Sequence, residues 1–428
     1  MVDVNKVLQP WQIVDRFRDN TNCRIVATST ETVPRVAPVV RCEVAAKAMS
    51  VESRGMDRAF VLLPESSPAH SLLLHFLSSL LLSLSLPMTK KVGDISMAAR
   101  AVAIPPALLL LLFSLASPAA ANLSTGYYQK TCPKAEQIIS DVVTGKQIST
   151  PTTAAGSLRL FFHDCFVGGC DASMLISTNA FNRAERDADD NISLPGDAFD
   201  TVIRAKTALE LQCPGVVSCA DVLALATRDL VLMLGGPFYT VRLGRKDALA
   251  STAASVPGNL PSPNMTVDQL IDVFAKKKMT VQDMVALSGA HTVGFSHCNQ
   301  FASRVFNYDG SGGHDPTMNS EYAAALQQAC ANYEKDSTIA AFNDLMTPGK
   351  FDNLYYQNVL RGLGLLASDS ALAADKRTRP LVELYAANQT AFFNDFTKAM
   401  EKLSLVGVKT GRKGEVRRRC DEFNSLST

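Results

Sequence analysis

Five segments beyond residue 200 repeat apolar residues every three or four positions, which is the spacing of an amphipathic helix. They cover residues 201–211, 218–234, 266–277, 280–287 and 389–403. In the last segment, Phe392, Phe396 and Met400 fall on one helical face. Breaks rich in proline and glycine at residues 234–237 and 256–263 separate neighbouring segments. No alternating apolar pattern is long enough to build a sheet, so the pattern predicts a mainly α-helical protein.

The most apolar stretch, residues 101–121, carries a different signal. It follows Met97 and Arg100, contains a run of leucines and ends in three alanines, as does a secretory signal peptide cleaved after Ala121. The rival interpretation is a membrane anchor over residues 71–117. The leucine run is shorter than the roughly 20 residues that a span needs, and prolines interrupt the stretch. We therefore expect a signal peptide, and no membrane segment in the mature protein.

Three regions follow from this signal. Residues 97–121 are the predicted signal peptide, and residues 122–428 are one large mature domain or two packed lobes. Residues 1–96 show no clear period and no turn-bounded strands. They are either a translated upstream region, with Met97 as the true start, or a genuine extension. We favour the first explanation, which makes residues 1–96 a doubtful N-terminal extension absent from the mature protein.

Composition and charge exclude one broad class of function. The 428 residues are 47% hydrophobic and 19% charged, with a formal net charge of +1 and no polybasic tract. A nucleic-acid-binding protein normally carries a basic excess on one face or in one segment. We therefore expect no nucleic-acid partner.

Eight of the ten cysteines follow the signal, and an even number in an exported protein indicates disulfides. They are Cys132, Cys165, Cys170, Cys213, Cys219, Cys298, Cys330 and Cys420. Cys23 and Cys42 lie in the doubtful extension. Zinc binding is the rival interpretation, but the close pairs are spaced more widely than usual structural zinc ligands, and export disfavours free thiolates. Eight cysteines allow about a hundred pairings, so spacing alone leaves the connectivity open.

The densest candidate chemistry lies in residues 159–173, which read RLFFHDCFVGGCDAS. Arg159 and His163 are four positions apart, so on a helix they share one face. An imidazole beside a fixed positive charge suits proton transfer next to developing negative charge. A second histidine, His291, lies in the sequence VALSGAHTVG at residues 285–294. Two such histidines could flank one cofactor from opposite sides.

These two segments resemble the signatures of a known family. Residues 159–173 resemble the distal-histidine signature of the secreted plant haem peroxidases of class III, and residues 285–294 resemble their proximal-histidine signature. Three further matches follow in family order: YYQKTCP at 127–133, CPGVVSCAD at 213–221 and FDNLYY at 351–356. The resemblance extends from about Leu123 to Cys420. It implies the haem peroxidase fold, in which two helical lobes enclose one haem b.

The resemblance also implies a role for five residues. His291 matches the axial ligand of the haem iron, and Asp369 matches the carboxylate that accepts the other N–H of that ring. His163 matches the proton acceptor for peroxide on the opposite side. Arg159 matches the cation that stabilises negative charge on the departing oxygen. Asn191 matches the asparagine that hydrogen-bonds the distal histidine and keeps it basic.

Access and glycosylation follow from the same comparison. Phe162 matches the aromatic residue that limits access to the iron, and the carbonyl of Pro261 matches one that helps to hold the reducing substrate. Asn191 also begins an Asn-Ile-Ser sequon, where we expect no sugar because the family position is buried. Further sequons at Asn122, Asn264 and Asn388 are candidate surface glycosylation sites.

Two calcium sites and four disulfides are also implied by the resemblance. Calcium binds six to eight oxygen atoms from carboxylates, hydroxyls and carbonyls. The first set matches Asp164, Val167, Gly169, Asp171 and Ser173, with Glu185 acting through water. The second set matches Thr292, Asp344, Thr347, Lys350 and Asp352, with Lys350 contributing only its carbonyl. The implied bridges are Cys132–Cys213, Cys165–Cys170, Cys219–Cys420 and Cys298–Cys330.

Three positions depart from the family pattern. Phe161 replaces a frequent histidine, Gly168 replaces a frequent asparagine in the calcium loop, and Tyr239 stands where many relatives carry tryptophan. None of these residues belongs to the implied catalytic or ligand sets.

The function implied is a monomeric, secreted peroxidase of the cell wall. It would reduce hydrogen peroxide and oxidise small phenolic donors in one-electron steps. In the family this chemistry serves peroxide removal, lignin and suberin formation, wall cross-linking, auxin catabolism and the response to oxidative stress. The alternative is a catalytically inactive protein of the same fold that binds calcium or wall polymer.

Overall fold

A computed structural model describes residues 123–424 of the chain. The predictions for the N-terminal extension, the signal peptide and the sequon at Asn122 concern residues outside that range. The described part contains twelve α-helices. They are α1 (Ala135–Ser149), α2 (Thr153–Val167), α3 (Gly196–Gln212), α4 (Cys219–Met233), α5 (Val267–Lys276), α6 (Val281–Ser288), α7 (Ala302–Phe306), α8 (Ser320–Ala329), α9 (Leu354–Leu360), α10 (Ala367–Ala374), α11 (Arg379–Ala387) and α12 (Gln389–Leu403).

Strands are a minor part of this region. Strands β1 (Phe295–His297) and β2 (Ala340–Phe342) pair antiparallel, with Ser296 opposite Ala341. The prediction of a mainly helical protein is therefore confirmed. No helix within residues 123–424 is both long enough and apolar enough to cross a bilayer.

Each of the five segments with helical apolar spacing contains one helix: α3, α4, α5, α6 and α12. Local capping explains where several of them begin. Thr266 and Thr280 each accept a hydrogen bond from the backbone N–H three residues later, and the side chain at that position bonds back to the threonine N–H. Ser218 and Asn388 cap α4 and α12 with their side-chain oxygens. The least accurate boundary is that of α3, which begins at Gly196 rather than Thr201.

The helices pack in two groups around one hydrophobic core. Helices α1 to α4 contact one another, and in the second group α6 packs against α12 and α9 against α11. Helix α2 lies deep in the first group, because twelve of its fifteen residues are buried. The same core continues through both groups. A smaller second core surrounds the bridge between Cys298 and Cys330.

The four disulfides are formed in the pairing that the resemblance implies: Cys132–Cys213, Cys165–Cys170, Cys219–Cys420 and Cys298–Cys330. They close loops of very different length. Cys219–Cys420 spans 201 residues and joins the start of α4 to the C-terminal segment. Cys298–Cys330 spans only 32 residues.

We expect the Cys219–Cys420 bridge to contribute more to stability than Cys298–Cys330 does. A cross-link removes more chain entropy from the unfolded state when its loop is longer, about 5 kcal/mol for a loop of ~200 residues against about 4 kcal/mol for one of ~30. Guanidinium unfolding of the double variants Cys219→Ala/Cys420→Ala and Cys298→Ala/Cys330→Ala compares the two losses. Both double variants leave a buried cavity of similar kind. A larger loss in the free energy of unfolding for Cys298→Ala/Cys330→Ala than for Cys219→Ala/Cys420→Ala would therefore contradict the entropic account.

Candidate active site

Helix α2 carries Arg159, Phe162 and His163 on one face, and Asn191 holds the ring of His163. Nδ1 of His163 lies 2.6 Å from Oδ1 of Asn191, and Nδ2 of Asn191 donates to the carbonyl of Glu185 at 2.8 Å. Because a carbonyl only accepts, the atom facing Glu185 has to be the NH2 group, which leaves Oδ1 as the acceptor for His163. Nδ1 of His163 therefore carries the proton, and Nε2 is left as a lone pair.

His163 is a neutral base under ordinary conditions. Burial, followed by the positive charge of Arg159, lowers the pKa of His163 to about 3, and the hydrogen bond to Asn191 opposes this shift only in part. A neutral imidazole with a free Nε2 can accept a proton at any pH near neutrality.

Arg159 is fixed by backbone and side-chain oxygens of the loop after α2. Its guanidinium donates to the hydroxyl of Ser193 at 3.0 Å and to the Ser193 carbonyl at 3.2 Å. The surrounding protein atoms lower the pKa of Arg159 to about 10 although part of the side chain is exposed, so the group stays charged. The same charge acts to lower the pKa of His163, His291 and His297, so all three imidazoles lie near the guanidinium.

His291 lies in a tight turn, Gly289–Thr292, directly after α6. Its Nδ1 is 2.9 Å from Oδ1 of Asp369, a buried residue in the first turn of α10. The hydroxyl of Tyr355 donates to the same oxygen at 2.8 Å. Burial acts to lower the pKa of His291, but the charge of Asp369 and its hydrogen bond outweigh that effect and raise it.

Glycine at position 289 permits this turn to pack closely. A Cβ there would collide with the hydroxyl of Tyr356 and the ring of Phe392. The turn is therefore pressed against the second helical group, and His291 is held by packing on one side and by Asp369 on the other.

The two histidines share one hydrogen-bonding arrangement. In each ring Nδ1 is engaged, and no group within residues 123–424 hydrogen-bonds Nε2. The side chain of His291 keeps 39% of its surface accessible. A neutral imidazole with a free Nε2 is the ligand that haem iron takes from a histidine.

Phe162 contacts His163, and the loop that carries Pro261 contacts the residue before Asp369. Phe162 is half-buried and lies edge-on to His163, with ring centroids 6.2 Å apart. It stacks on Phe166 at 4.1 Å. Pro261 is also half-buried, and the carbonyl of Pro263 two residues later accepts from the backbone N–H of Ser368 at 2.9 Å. The loop that carries Pro261 is thus tied to the residue preceding Asp369.

Four residues of the first predicted calcium set lie close together at the end of α2: Asp164, Asp171, Ser173 and Glu185. The backbone N–H of Asp171 donates to Asp164 at 3.1 Å, and the hydroxyl of Ser173 donates to Glu185 at 2.8 Å. Burial, followed by the nearby charge of Asp171, raises the pKa of Asp164 well above its usual value. Burial raises the pKa of Glu185 to about 7. Buried carboxylates this close repel one another when ionised, and a divalent cation relieves that repulsion.

The remaining two members of this set, Val167 and Gly169, belong to the same loop, which the Cys165–Cys170 bridge closes. Only backbone oxygens are available from them. The carbonyl of Val167 also lies 3.2 Å from Nζ of Lys277, so a cation there would share this oxygen with the lysine.

The second predicted set forms a compact cage of oxygen atoms. Oγ1 of Thr292 is 3.3 Å from Oδ2 of Asp344, 3.5 Å from the carbonyl of Lys350 and 3.5 Å from Oδ1 of Asp352. Oγ1 of Thr347 is 3.4 Å from Asp344 and 3.2 Å from Asp352. Two ligands at right angles around a calcium ion at about 2.4 Å are separated by about 3.4 Å. All five residues therefore have the spacing of a calcium shell.

Both sets rely on mixed oxygen ligands. Within residues 123–424, no group of three or more His, Cys, Asp or Glu side chains forms a metal site by itself. Hydroxyl and backbone carbonyl oxygens have to complete each shell, which is typical of calcium and unlike zinc.

Three residues near the site had no role in the sequence predictions. Ser193 anchors Arg159, Tyr355 shares the oxygen of Asp369 with His291, and His297 lies near the charge of Arg159. Tyr355 lies in the FDNLYY motif, so the motif drew attention to the segment without indicating this contact. Nothing in the sequence singled out Ser193 or His297, because their roles depend on loops brought together by the fold.

Asn191 is inaccessible to glycosylation. It is 1% exposed, and its Nδ2 donates to Glu185. Asn264 and Asn388 are exposed, and Asn388 uses Oδ1 to cap α12, which leaves its Nδ2 free of that contact.

Comparisons with known proteins agree with this geometry. A family model described as Peroxidase matches residues 139–388, a span that holds both histidines and Asp369. Peroxidase 65 of Arabidopsis thaliana is 59% identical over 324 residues, which cover 74% of this chain and 96% of that protein. Peroxidase 41 of the same organism is 60% identical over 319 residues, with coverage of 74% and 96%. Peroxidase 31 is 56% identical over 316 residues, with coverage of 74% and 98%. The chain belongs to the peroxidase family.

Proposed function

We propose that this protein is a secreted haem peroxidase that reduces hydrogen peroxide and oxidises small phenolic donors in one-electron steps. The observation that carries the proposal is the pair of imidazoles near Arg159, each with Nδ1 engaged and Nε2 free of hydrogen bonds within residues 123–424. Arg159 adds a fixed positive charge beside them. The named relatives are all peroxidases, which supports the same chemistry here.

The proposed cofactors are one haem b and two calcium ions per subunit. Nε2 of His291 would ligate the iron, and the two oxygen sets described above would hold the calcium ions. When bound, the haem supplies the redox chemistry that passes two electrons to peroxide and collects them singly from donors.

His163 is the proposed proton carrier. Its Nε2 takes the proton from one peroxide oxygen and returns it to the other as that oxygen leaves as water. Arg159 stabilises the negative charge that builds on the leaving oxygen during this transfer. Asn191 holds the His163 ring in the tautomer that makes the transfer possible, since its Oδ1 accepts the Nδ1–H.

Asp369 is the proposed partner of the iron ligand. Its carboxylate accepts the Nδ1–H of His291 and increases the basicity of Nε2. Tyr355 donates to the same carboxylate oxygen and so helps to fix its position.

The proposed donors are small phenolics held near Phe162 and the carbonyl of Pro261. Their one-electron oxidation would serve lignin and suberin formation, wall cross-linking, auxin catabolism, peroxide removal and the response to oxidative stress. We propose that the enzyme acts as a monomer outside the cell, with residues 97–121 removed as a signal peptide and residues 1–96 absent from the mature chain.

The proposed function is tested with the secreted holoenzyme. We expect a ferric haem absorption band and peroxide-dependent oxidation of guaiacol, and we expect His163→Ala to slow the reaction with peroxide by about 10²–10⁴-fold while haem remains bound. Stopped-flow absorbance measures that rate. The control is His314→Ala, which changes a histidine outside the proposed catalytic and ligand sets. Bound haem without turnover in the unchanged protein would favour the inactive calcium- or wall-binding alternative.

The pH dependence tests the tautomer argument. The reaction with peroxide needs neutral His163, whose pKa is about 3, so its rate should be flat near neutral pH and fall only in strong acid. Asn191→Asp places a negative charge beside Nδ1–H, stabilises the imidazolium and should move the acid limb to higher pH. Asn388→Asp keeps an exposed helix cap and should leave the profile unchanged. The rates are measured by pH-jump stopped flow. If the acid limb of the Asn191→Asp profile lies at the same pH as in the unchanged protein, the assigned contact between His163 and Asn191 is refuted.

Calcium removal tests the two oxygen sets. Calcium that binds only the folded state should raise the free energy of unfolding by about 2.7 kcal/mol when its concentration is about 100 times Kd. Chelation should therefore lower the thermal midpoint, and Asp344→Asn should remove part of the calcium-dependent gain. Asp272→Asn, on the exposed face of α5, is the matched control. An equal calcium response in Asp344→Asn and the unchanged protein would contradict the second site.

A further inference from the structure

Three tyrosines form a continuous line of rings that begins at the proximal histidine. Ring centroids are 6.1 Å apart between His291 and Tyr355, 4.9 Å between Tyr355 and Tyr356, and 5.2 Å between Tyr356 and Tyr385. These are the separations of aromatic rings in direct contact. All three tyrosine side chains are buried, so they exchange electrons with one another more readily than with solvent molecules.

A carboxylate accepts the phenolic hydrogen bond at each end of the line. The hydroxyl of Tyr355 donates to Asp369 at 2.8 Å, and the hydroxyl of Tyr385 donates to Oδ2 of Asp395 at 3.0 Å. The middle tyrosine donates only to backbone carbonyls, that of Val285 at 2.8 Å being the nearer. A phenol releases an electron most easily when a base takes its proton, so the two ends differ chemically from the middle.

The far end of the line lies close to solvent. The side chain of Asp395 is 13% exposed and is 3.1 Å from Nζ of Lys398, which is 74% exposed. Burial acts to raise the pKa of Asp395, but hydrogen bonds from Gln282, Lys398 and Tyr385 outweigh it and lower the pKa. Burial, followed by the hydrogen bond to Asp395, raises the pKa of Tyr385. The pair is therefore a neutral phenol beside an ionised carboxylate that can pass a proton to solvent.

We propose that Tyr355, Tyr356 and Tyr385 form an internal electron-donor route, which supplies an electron to the peroxide-oxidised enzyme when no phenolic donor is present. The proposal rests on the peroxidase function proposed above. A tyrosine side chain is itself a phenol, so an enzyme able to oxidise phenolic donors has the driving force to oxidise it.

The transfer balances at the far end of the line. Hydrogen peroxide is the oxidant: it is reduced to water and takes two electrons from the enzyme. The Tyr385 phenol loses one electron, which travels through the rings of Tyr356 and Tyr355 towards His291, and its O–H proton passes to Oδ2 of Asp395. Tyr356 and Tyr355 gain and lose one electron each and end unchanged. The products are a Tyr385 phenoxyl radical, a protonated Asp395 and an enzyme reduced by one electron.

The experiment uses the secreted holoenzyme mixed with hydrogen peroxide without any donor and frozen within milliseconds for electron paramagnetic resonance. Protein carrying ring-deuterated tyrosine identifies a tyrosyl signal by its narrowed hyperfine pattern. Tyr356→Phe interrupts the line, Tyr385→Phe removes its end, and Asp395→Asn removes the proton acceptor while keeping the rings. Tyr239→Phe is the matched control, because Tyr239 is equally buried and its hydroxyl has no hydrogen-bond partner within residues 123–424.

We expect a tyrosyl signal in the unchanged protein and in Tyr239→Phe, and its loss or marked decrease in the other three variants. Tyr385→Phe should also be inactivated by fewer equivalents of peroxide, while its guaiacol oxidation stays at the unchanged rate. Equal tyrosyl signals in Tyr385→Phe and the unchanged protein would overturn the route. Absence of guaiacol oxidation in every form would instead refute the peroxidase function, so the two failures are distinguishable.

Discussion

The chemistry that we propose for this peroxidase depends on one hydrogen bond to each of two histidines, His163 and His291. An imidazole offers Nε2 as a lone pair only when Nδ1 keeps the proton, and Nδ1 keeps it when an acceptor lies within reach. Asn191 provides that acceptor for His163, and Asp369 provides it for His291. These two acceptors therefore leave Nε2 of His163 free for the proton transfer that we propose and Nε2 of His291 free for the proposed iron.

The oxygen sets that we assign to calcium lie next to Asn191 on one side and next to His291 on the other. On the distal side, Asn191 donates to the carbonyl of Glu185, whose carboxylate accepts from Ser173. On the proximal side, Thr292 follows His291 directly and its hydroxyl belongs to the second oxygen cage. A change in either oxygen set consequently reaches a histidine through one or two residues. The same arrangement explains why these loops carry buried charges, which alone would destabilise the fold.

The sequence predicted the parts of the fold that depend on local pattern. Amphipathic helices such as α4 and α12 were predicted because their apolar spacing is regular. The helices α9, α10 and α11 were not predicted; unlike α6, which is equally short, none of them begins at a residue with a side-chain cap, and they pack against one another. Cysteine pairing and the partnership of His291 with Asp369 join residues far apart in the chain. Only the resemblance to a family indicated them, because local propensity holds no information on distant contacts.

The two acceptors differ in charge, and this difference separates the roles of the two histidines. Burial acts to lower the pKa of both rings. The neutral amide of Asn191 offsets that effect only in part, so His163 remains a neutral base that can take and return a proton. The carboxylate of Asp369 outweighs burial and makes His291 the more basic ring, which suits a permanent ligand. An amide and a carboxylate differ by a few atoms, yet this difference shifts the pKa of the two imidazoles in opposite directions, as the roles that we propose for them require. Tyr355 shares the charged oxygen of Asp369, so the basic ring and the first tyrosine of the proposed electron route depend on the same carboxylate.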